Sequence, residues 1–395
     1  RTEISGEEIG TIDLGDLIAE ENMVVTISNQ GYIKRTPAST YRAQRRGGKG
    51  LMGARTEEED PIRLLFAAST HDYLLFFTNR GKVYWQKVYD LPQLSRESRG
   101  RAVVNLLNLA EGETIADCRA VRDFSPDHYL MMATRRGLVK KTPLSQYSRP
   151  QRNGIIAIKL KEDDELVDVA ITKPGDEVVL STSRGMAVRF RQSDARPMGR
   201  NTSGVKGINL TSGDELVGMV VAEPDCTLLT VCRNGYGKRT PFGPNSPVVE
   251  GEEQALPAEG EAALPADEAP VEEAEVAVEE PSAEEEGGDE GGSSRRYRTQ
   301  RRGGKGLRDI KTTDRNGPVV SVVTVSDDDE ILLMTARGKI QRVAASEISV
   351  IGRNTQGVRI MTLDEDDGVA GVVRVPREER GEESEGGDAA EPDVV

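Results

Sequence analysis

A cationic, glycine-rich heptad, QRRGGKG, occurs twice in this chain. Its two copies consist of Gln44, Arg45, Arg46, Gly47, Gly48, Lys49 and Gly50, and of Gln300, Arg301, Arg302, Gly303, Gly304, Lys305 and Gly306. Arg and Lys pair with phosphate oxygens, and glycine lets backbone N–H groups approach them because it lacks Cβ. Arg and Gly are also common in solvated turns, but an identical repeat favours a function. The heptads therefore predict contacts to a phosphate-rich ligand.

The residues of a self-contained enzyme are missing from the sequence. His71 and His128 are the only histidines, and no HExxH or GxSxG motif occurs. A P-loop needs Gly five residues before its Gly-Lys pair and Ser or Thr after it, but Ala43 and Gly50 occupy these positions. We therefore expect no catalytic residue, no metal and no cofactor in this chain.

Charge is distributed very unevenly along the chain. The formal total is −15, but residues 242–294 contain no Lys or Arg and carry 17 acids between Glu250 and Glu290. Residues 376–395 carry eight acids and two arginines, a net −6, so removing both segments from the total leaves +8. Both segments are too charged and too poor in aromatic residues to form a core. They are either a solvated linker and tail, or competitors with an anionic ligand for the basic remainder.

Cysteine usage and hydropathy are typical of a cytoplasmic protein. Cys118, Cys226 and Cys232 are odd in number and form no CxxC pair, which predicts reduced thiols. No apolar run approaches the ~18 residues of a membrane span, so we expect no membrane partner. The sequence begins with Arg1 rather than Met and has no signal peptide, and we interpret it as a fragment.

A repeat of about fifty residues runs through the sequence. Each unit has an apolar run, a polar turn with glycine and a second short run, as in VVTISNQGYIKR. The turn glycines are Gly31, Gly81, Gly137, Gly185, Gly235 and Gly338. Their spacings are 50, 56, 48, 50 and 103, and the last interval contains the acidic segment. Without that segment, six units follow one another at an even pitch.

The units predict strands rather than helices. Each has a hairpin around its turn glycine and flanking runs rich in Val, Ile and Leu. We predict an all-β, propeller-like ring of six blades with about four strands each, because a closed ring leaves no exposed sheet edge. The ring covers residues 1–375, is interrupted by a disordered acidic insert at 245–294, and precedes a disordered tail at 376–395. Tyr84 and Trp85 are expected to pack between blades, and several separate small β domains are the alternative.

Cations recur at two positions in the units. The first is the position of the heptad, a loop just before an apolar strand, and it adds Arg99, Arg101, Arg152, Arg200, Lys206, Arg353 and Arg359 to the candidate residues. The second is a KRTP or KKTP element, which adds Lys34, Arg35, Lys140, Lys141, Lys238 and Arg239. We interpret the Thr-Pro pairs as turns and expect the cations before them to face the ligand.

A ring with cationic loops in every blade would have a positive rim, and duplex DNA fits such a rim. Each Lys or Arg that pairs with a phosphate releases condensed counterions, which gives affinity without reading sequence. Bending 20–30 base pairs around a rim costs about 1–6 kcal/mol, so many contacts are needed, and six units could supply them. The sequence contains no recognition helix and no row of aromatic residues for stacking single strands.

Several stretches, the heptad above all, resemble the C-terminal domain of the DNA gyrase A subunit. QRRGGKG matches the seven-residue box of that family, and DLIAEENMVVTISNQGYIKR, MGRNTSGVKGI and SEISVIGRNTQGV are similar to it as well. The resemblance covers almost the whole chain outside the acidic segments. It implies a six-bladed β-pinwheel that wraps duplex DNA around its rim with positive handedness. It also implies that the first box determines wrapping and lies where the first and last blades meet.

The resemblance implies an enzyme that is larger than this chain. The holoenzyme is an ATP-driven type II topoisomerase that introduces negative supercoils, with two A and two B subunits. Its cleaving tyrosine belongs to the N-terminal part of gyrase A, whereas ATP and Mg²⁺ bind elsewhere, so this chain would contain neither site.

Two features depart from the family pattern. A second intact box occurs in the fifth unit, and the acidic insert precedes it. We hypothesise that the insert shields this second box until DNA displaces it. The alternatives to a gyrase domain are the C-terminal domain of topoisomerase IV, which usually has fewer blades and no intact box, and a propeller that binds proteins.

Overall fold

The computed structural model describes residues 17–40, 60, 62–95, 98–149, 151–245, 296–337 and 339–375. The first heptad, Gly338, the acidic residues from Glu250 to Glu290 and the tail at 376–395 lie outside the described part. The predictions made for them therefore stay predictions.

A β-hairpin forms the middle of every blade. Its first strands are β1 (Asn22–Ser28), β4 (Tyr73–Thr78), β8 (Tyr129–Thr134), β12 (Glu177–Thr182), β16 (Thr227–Cys232) and β20 (Glu330–Thr335). Its second strands are β2 (Tyr32–Pro37), β5 (Lys82–Lys87), β9 (Leu138–Pro143), β13 (Met186–Arg191), β17 (Tyr236–Pro241) and β21 (Ile340–Ala344). Gly31, Gly81, Gly137, Gly185 and Gly235 have φ between 74° and 82°, which confirms the predicted turns.

A strand of six to eight residues follows each hairpin and lies on the inner side of the blade. These inner strands are β3 (Ile62–Ser69), β7 (Ile115–Val121), β11 (Leu166–Thr172), β15 (Leu216–Val221), β19 (Val319–Val325) and β23 (Val369–Val375). Each pairs antiparallel with the first hairpin strand of its own blade and contacts the inner strand of the next. Since β23 also contacts β3, the six inner strands form a closed ring.

The outermost strand of a blade comes from the next unit along the chain. The five outer strands are β6 (Arg101–Ala102), β10 (Ile155–Ile156), β14 (Val205–Lys206), β18 (Leu307–Arg308) and β22 (Val358–Arg359). Each follows the hairpin of one unit and pairs with the second hairpin strand of the preceding blade, as β18 does with β13. Five blades therefore have four strands, and the sixth has three within the described residues.

Hydrophobic side chains join the blades rather than filling separate cores. Strand residues alternate between the two faces of a sheet, so neighbours on one strand belong to different clusters. Tyr84 packs in the cluster shared by blades one and two, whereas Trp85 packs in the cluster shared by blades two and three. Equivalent clusters join each later pair up to blades five and six. The six-bladed all-β architecture and the packing of Tyr84 and Trp85 between blades are thus confirmed.

Two further sequence predictions bear on this fold. Cys118, Cys226 and Cys232 all lie in the described part of the chain and form no disulfide. Among the described residues, no helix is long and apolar enough to cross a membrane.

Candidate nucleic-acid interface

The loops that precede the outer strands run along the rim of the ring. The second heptad is one of them, and its last residue, Gly306, has φ +81°. A Cβ at Gly306 would lie 2.6 Å from the carbonyl oxygen of Ala187 on the neighbouring strand. The same positive φ and the same close approach to a backbone carbonyl occur at Gly100, Gly154, Gly204 and Gly357. Units two to six therefore each need a glycine at this position, because a side chain there would have a strained φ and would clash with a backbone carbonyl.

Backbone hydrogen bonds fix the second heptad against blade four. The amide of Gln300 donates to the carbonyl of Arg189 at 2.7 Å. Further along, the Gly303 amide donates to Gly207 at 2.8 Å, and the Gly304 carbonyl accepts from Asn209 at 2.9 Å. The amides of Gln300 and Gly303 thus bind protein carbonyls, and they are not available for phosphate as the sequence suggested.

The three cations of the second heptad have different positions. Arg302 is partly exposed, and its guanidinium donates to the carbonyls of Asp194 (2.9 Å), after the hairpin of blade four, and of Lys206 (2.6 Å), in the outer strand of blade three, so it holds the loop where these two blades meet. Arg301 and Lys305 are exposed and line an open groove of about 400 Å³, formed by Arg298, Thr299, Gln300, Arg301, Gly304, Lys305 and Gly306. Among the described residues, no carboxylate lines this groove.

Exposed cations recur in the other rim loops and in the outer strands that follow them. Arg99, Arg101, Arg152, Lys206 and Arg359 are exposed, whereas Arg200 and Arg353 are partly exposed. Arg99 lies over the Tyr32 ring at 4.1 Å and 3.9 Å from Asp60, so part of its charge is balanced. Within the part of the chain that the structure describes, Arg101, Arg152, Arg301 and Lys305 make no ion pair.

The arginines at the hairpin turns differ from those of the rim. Arg135 lies 3.7 Å from Glu165, and Arg136 lies 3.7 Å from Asp163. The Arg337 guanidinium donates to the carbonyl of Glu365, in an acidic loop. Arg135 and Arg136 at the hairpin turn of blade three are therefore each paired with an acid, unlike Arg301 and Lys305 of the rim loop.

The prediction that the KRTP and KKTP cations face a ligand is wrong for five of the six residues. The structure buries Lys34, Lys140, Lys141, Lys238 and Arg239. Arg35, the sixth, is half-buried and donates to the carbonyls of Leu91 and Tyr89. A buried charge is stable only when hydrogen bonds replace water, so these side chains must have partners within the protein.

The three buried lysines at the third position of their strands hold the rim loops. Lys34 Nζ donates to the Ser98 carbonyl at 2.7 Å, and Lys140 Nζ donates to the carbonyls of Arg200 and Ala157. Burial, together with the Arg200 charge, lowers the pKa of Lys140 to about 7. These lysines therefore support the loops that carry the exposed cations.

Lys238 makes the same contact and also forms a buried ion pair. Its Nζ donates to the Gly352 carbonyl at 3.0 Å and lies 3.0 Å from Asp309 Oδ1. The Asp309 carboxylate also accepts from the hydroxyls of Thr230 and Tyr297, each at 2.6 Å. Burial lowers the pKa of Lys238, and Asp309 opposes this effect.

The residue at the fourth position of these strands binds the turn of the next unit. Arg35 donates to Leu91, Lys141 to Gln192 (3.1 Å) and Arg239 to Ile348 (2.9 Å). In blade two the donor is the indole of Trp85, which binds the Tyr147 carbonyl at 2.8 Å. The sequence held one signal of this role. Adjacent lysines such as Lys140 and Lys141 must face opposite sides of a strand, so both cannot face one ligand.

One cationic cluster is not evident from the sequence. Arg359 Nη2 donates to the Tyr236 hydroxyl at 3.0 Å, and the Arg315 guanidinium lies 5.0 Å from the centre of the same ring. Hydrogen bonding by Arg315 and Arg359 lowers the pKa of Tyr236. In the other blades the corresponding loop supplies a carboxylate to the hairpin turn, such as Asp214, which binds the Arg184 amide. Blade five has Asn316 there, so no acid of that loop position balances the two arginines.

The fold is that of a β-propeller whose outer strands are exchanged between neighbouring units, and comparisons with known proteins agree. The family model for the DNA gyrase C-terminal domain, a beta-propeller, matches residues 22–68, 72–122, 128–173, 176–223, 295–326 and 329–376. These six segments correspond to the six blades. The chain belongs to the DNA gyrase C-terminal domain family.

Similar proteins include the DNA gyrase A subunits of two bacteria. That of Escherichia coli (strain K12) is 42% identical over 395 residues, which are 100% of this chain and 39% of the relative. That of Staphylococcus aureus (strain MRSA252) is 40% identical over 388 residues, 98% and 38% of the two proteins. The chain thus spans about two fifths of the length of these relatives.

Two solved structures share the architecture. A DNA gyrase A C-terminal domain has a TM-score of 0.65 and 27% identity, and the match covers 90% of this chain and 99% of that one. The C-terminal domain of a DNA topoisomerase IV also has a TM-score of 0.65, with 24% identity and coverages of 91% and 94%. The second likeness concerns the fold alone.

Proposed function

We propose that this domain binds duplex DNA around its rim and wraps it as part of a DNA gyrase. The observation that carries the proposal is the repeated rim loop, in which exposed cations without acidic partners precede the outer strands. Such cations neutralise phosphates without reading bases. Arg301 and Lys305 in the second heptad are its best-defined contacts, and Arg315 and Arg359 extend the basic surface at blade five.

The first heptad is proposed to contact DNA in the same way. Its sequence is identical to the second, and it follows β2 as the second follows β17 and the insert. Its cations would continue the basic rim at the junction of blades six and one.

The whole enzyme is proposed to be an ATP-dependent type II topoisomerase that introduces negative supercoils in the cytoplasm. Its partners would be gyrase B and the N-terminal region of gyrase A in an A₂B₂ assembly. ATP and Mg²⁺ would bind outside this chain, whose own contribution is to bend and present DNA. The intact heptads favour a gyrase domain over that of topoisomerase IV, with which the fold is shared.

Ligation of nicked circular plasmid in the presence of the domain tests wrapping. We expect a positive shift in linking number that grows with protein concentration. A variant carrying Arg301→Ala and Lys305→Ala should give a smaller shift. The matched control, Arg135→Ala with Arg136→Ala, removes two cations at a hairpin turn and should behave as the unaltered domain. Absence of any shift would instead favour simple bending or a protein-binding propeller.

A further inference from the structure

Arg189 has an unusual set of partners at the junction of blades four and five. It is 2% exposed, and all five N–H groups of its guanidinium are used. Nε binds Glu177 at 2.6 Å, and Nη1 binds the carbonyls of Phe242 (2.6 Å) and Tyr297 (3.0 Å). Nη2 binds the Pro244 carbonyl at 3.2 Å and the Asn245 side chain at 2.7 Å.

The equivalent residues elsewhere bind the backbone of only one stretch of the next unit, although Arg239 also pairs with the Asp327 side chain. Arg189 occupies the fourth position of its strand, like Arg35, Trp85, Lys141 and Arg239. The backbone carbonyls that those four side chains bind lie in or beside one short turn, as Arg35 shows with Leu91 and Tyr89. In the fifth unit this turn is interrupted by the acidic insert, and Arg189 binds the chain on both sides of it.

Other contacts bring the two flanks of the insert together. The Phe242 and Tyr297 rings lie 6.2 Å apart, and a Cβ at Gly243 would lie 2.8 Å from the side chain of Arg296. Glu177, the partner of Arg189, also accepts from the hydroxyl of Thr299 at 2.9 Å. Pro244 and Asn245 before the insert and Tyr297 after it therefore bind a single guanidinium.

The residues that follow the insert lead directly into the second heptad. Thr299 is held by Glu177, and the next residue, Gln300, donates its amide to the carbonyl of Arg189 itself. We infer that Arg189 is the positioning residue of the second heptad: its five-donor fork ties both flanks of the insert together and fixes where the cationic loop begins. This inference rests on the proposed function only in that the loop so positioned contacts DNA.

Lysine cannot replace this fork. It keeps the positive charge beside Glu177, but its three donors radiate from one atom and cannot reach both flanks as a planar guanidinium does. In the Arg189→Lys variant, the start of the heptad should come loose while the blades stay packed. Arg239→Lys is the matched control, because Arg239 occupies the same strand position in the next blade. Its backbone carbonyl accepts from the Ile351 amide, as the carbonyl of Arg189 accepts from the Gln300 amide.

Hydrogen exchange of individual amides in the folded protein tests the inference without DNA. In Arg189→Lys, the Gln300 and Gly303 amides should exchange about tenfold faster, because local opening becomes easier. In Arg239→Lys, the Ile351 amide should exchange faster, while exchange at Gln300 and Gly303 should stay unchanged. Unaltered exchange at Gln300 and Gly303 in a folded Arg189→Lys protein would overturn the inference.

A rescue separates positioning from general core packing. Removing residues 250–292 leaves a short connection between Asn245 and Arg296. This connection should hold the two flanks of the insert close together, as the guanidinium does in the unaltered protein. The deletion should therefore restore slow exchange at Gln300 in Arg189→Lys, whereas a defect of general packing would persist and would contradict the inference. If Arg189→Lys fails to fold, Asn245→Ala removes one partner of the fork and should give a smaller acceleration at the same amides.

The linking-number assay then distinguishes the two proposals. If Arg189→Lys loosens the heptad and also reduces the linking-number shift, both stand. If the heptad loosens while the shift stays the same, Arg189 still positions the loop, but the proposed DNA contact of the second heptad fails.

Discussion

The cations of the hairpin strands and the cations of the rim loops look alike in sequence and differ completely in the fold. Lys140 and Lys238 are buried, and the ammonium group of each binds one backbone carbonyl of its own unit and one of the next. Arg301 and Lys305 are exposed beside an open groove and make no ion pair within the described residues. Only part of the positive charge in each unit is therefore available to a ligand, and the remainder holds that part in place.

The strongest test of the buried group is Lys238→Met. It leaves Asp309 buried without its ammonium partner, and breaking a buried ion pair in this way costs about 3–5 kcal/mol. Denaturant unfolding should show a loss of this size. Lys305→Met removes an exposed cation and should change the free energy of unfolding by less than about 0.5 kcal/mol. Equal effects of the two substitutions would erase the distinction between strand and loop cations.

The buried side chain of Lys140 should also make the free energy of unfolding depend on pH, whereas the exposed Lys305 should not. Because burial lowers its pKa from 10.5 to about 7, the unfolded chain holds a proton between about pH 7 and 10 that the folded chain does not. Unfolding then takes up a proton, so the free energy of unfolding should rise with pH across this range. Lys140→Met should flatten this rise. It should also lower stability by about 1–3 kcal/mol, because carbonyls lose a buried donor.

Unfolding measured at pH 7, 8 and 9 checks this prediction. Lys305→Met should keep the rise seen in the unaltered domain, since its side chain is exposed. A rise of the same size in Lys140→Met would show that Lys140 does not cause it.

The acidic insert should have the smallest effect, and it acts on the exposed cations alone. Residues 250–292 include 17 acids and join the ring beside the second heptad. Their deletion should raise affinity for duplex DNA a few-fold at low salt, because the negative charges of the insert beside the heptad repel the DNA phosphates. The gain should fall towards zero near 1 M salt, where the Debye length is about 3 Å. Unchanged affinity at low salt would reduce the insert to a spacer.

The repeat and the turn glycines were enough to predict the six blades. Gly31 and its counterparts mark hairpins because positive φ is a local requirement that the sequence displays directly. The exchange of outer strands could not be predicted, since β18 pairs with β13 across more than a hundred residues of chain. The burial of Lys140 and Lys238 was missed for the same reason, because one carbonyl partner of each comes from the next unit.

The heptad itself was predicted only in part. Its repetition correctly marked a loop at the rim, but the repeat alone implied equal roles for Arg301, Arg302 and Lys305. In the fold Arg302 binds the carbonyls of Asp194 and Lys206, and this depends on which blade the loop lies against. Arg315 was missed because its neighbours Tyr236 and Arg359 are distant in the sequence.

The salt dependence of DNA binding measures most directly whether the rim loops hold the phosphates. The logarithm of the binding constant falls with the logarithm of salt concentration, and the slope changes by about 0.9 for each phosphate contact. Arg301→Ala with Lys305→Ala should reduce the slope by about 2, while Arg135→Ala with Arg136→Ala should leave it unchanged. Equal slopes for the unaltered domain and the rim variant, or a loss confined to the hairpin-turn variant, would contradict a phosphate-binding rim.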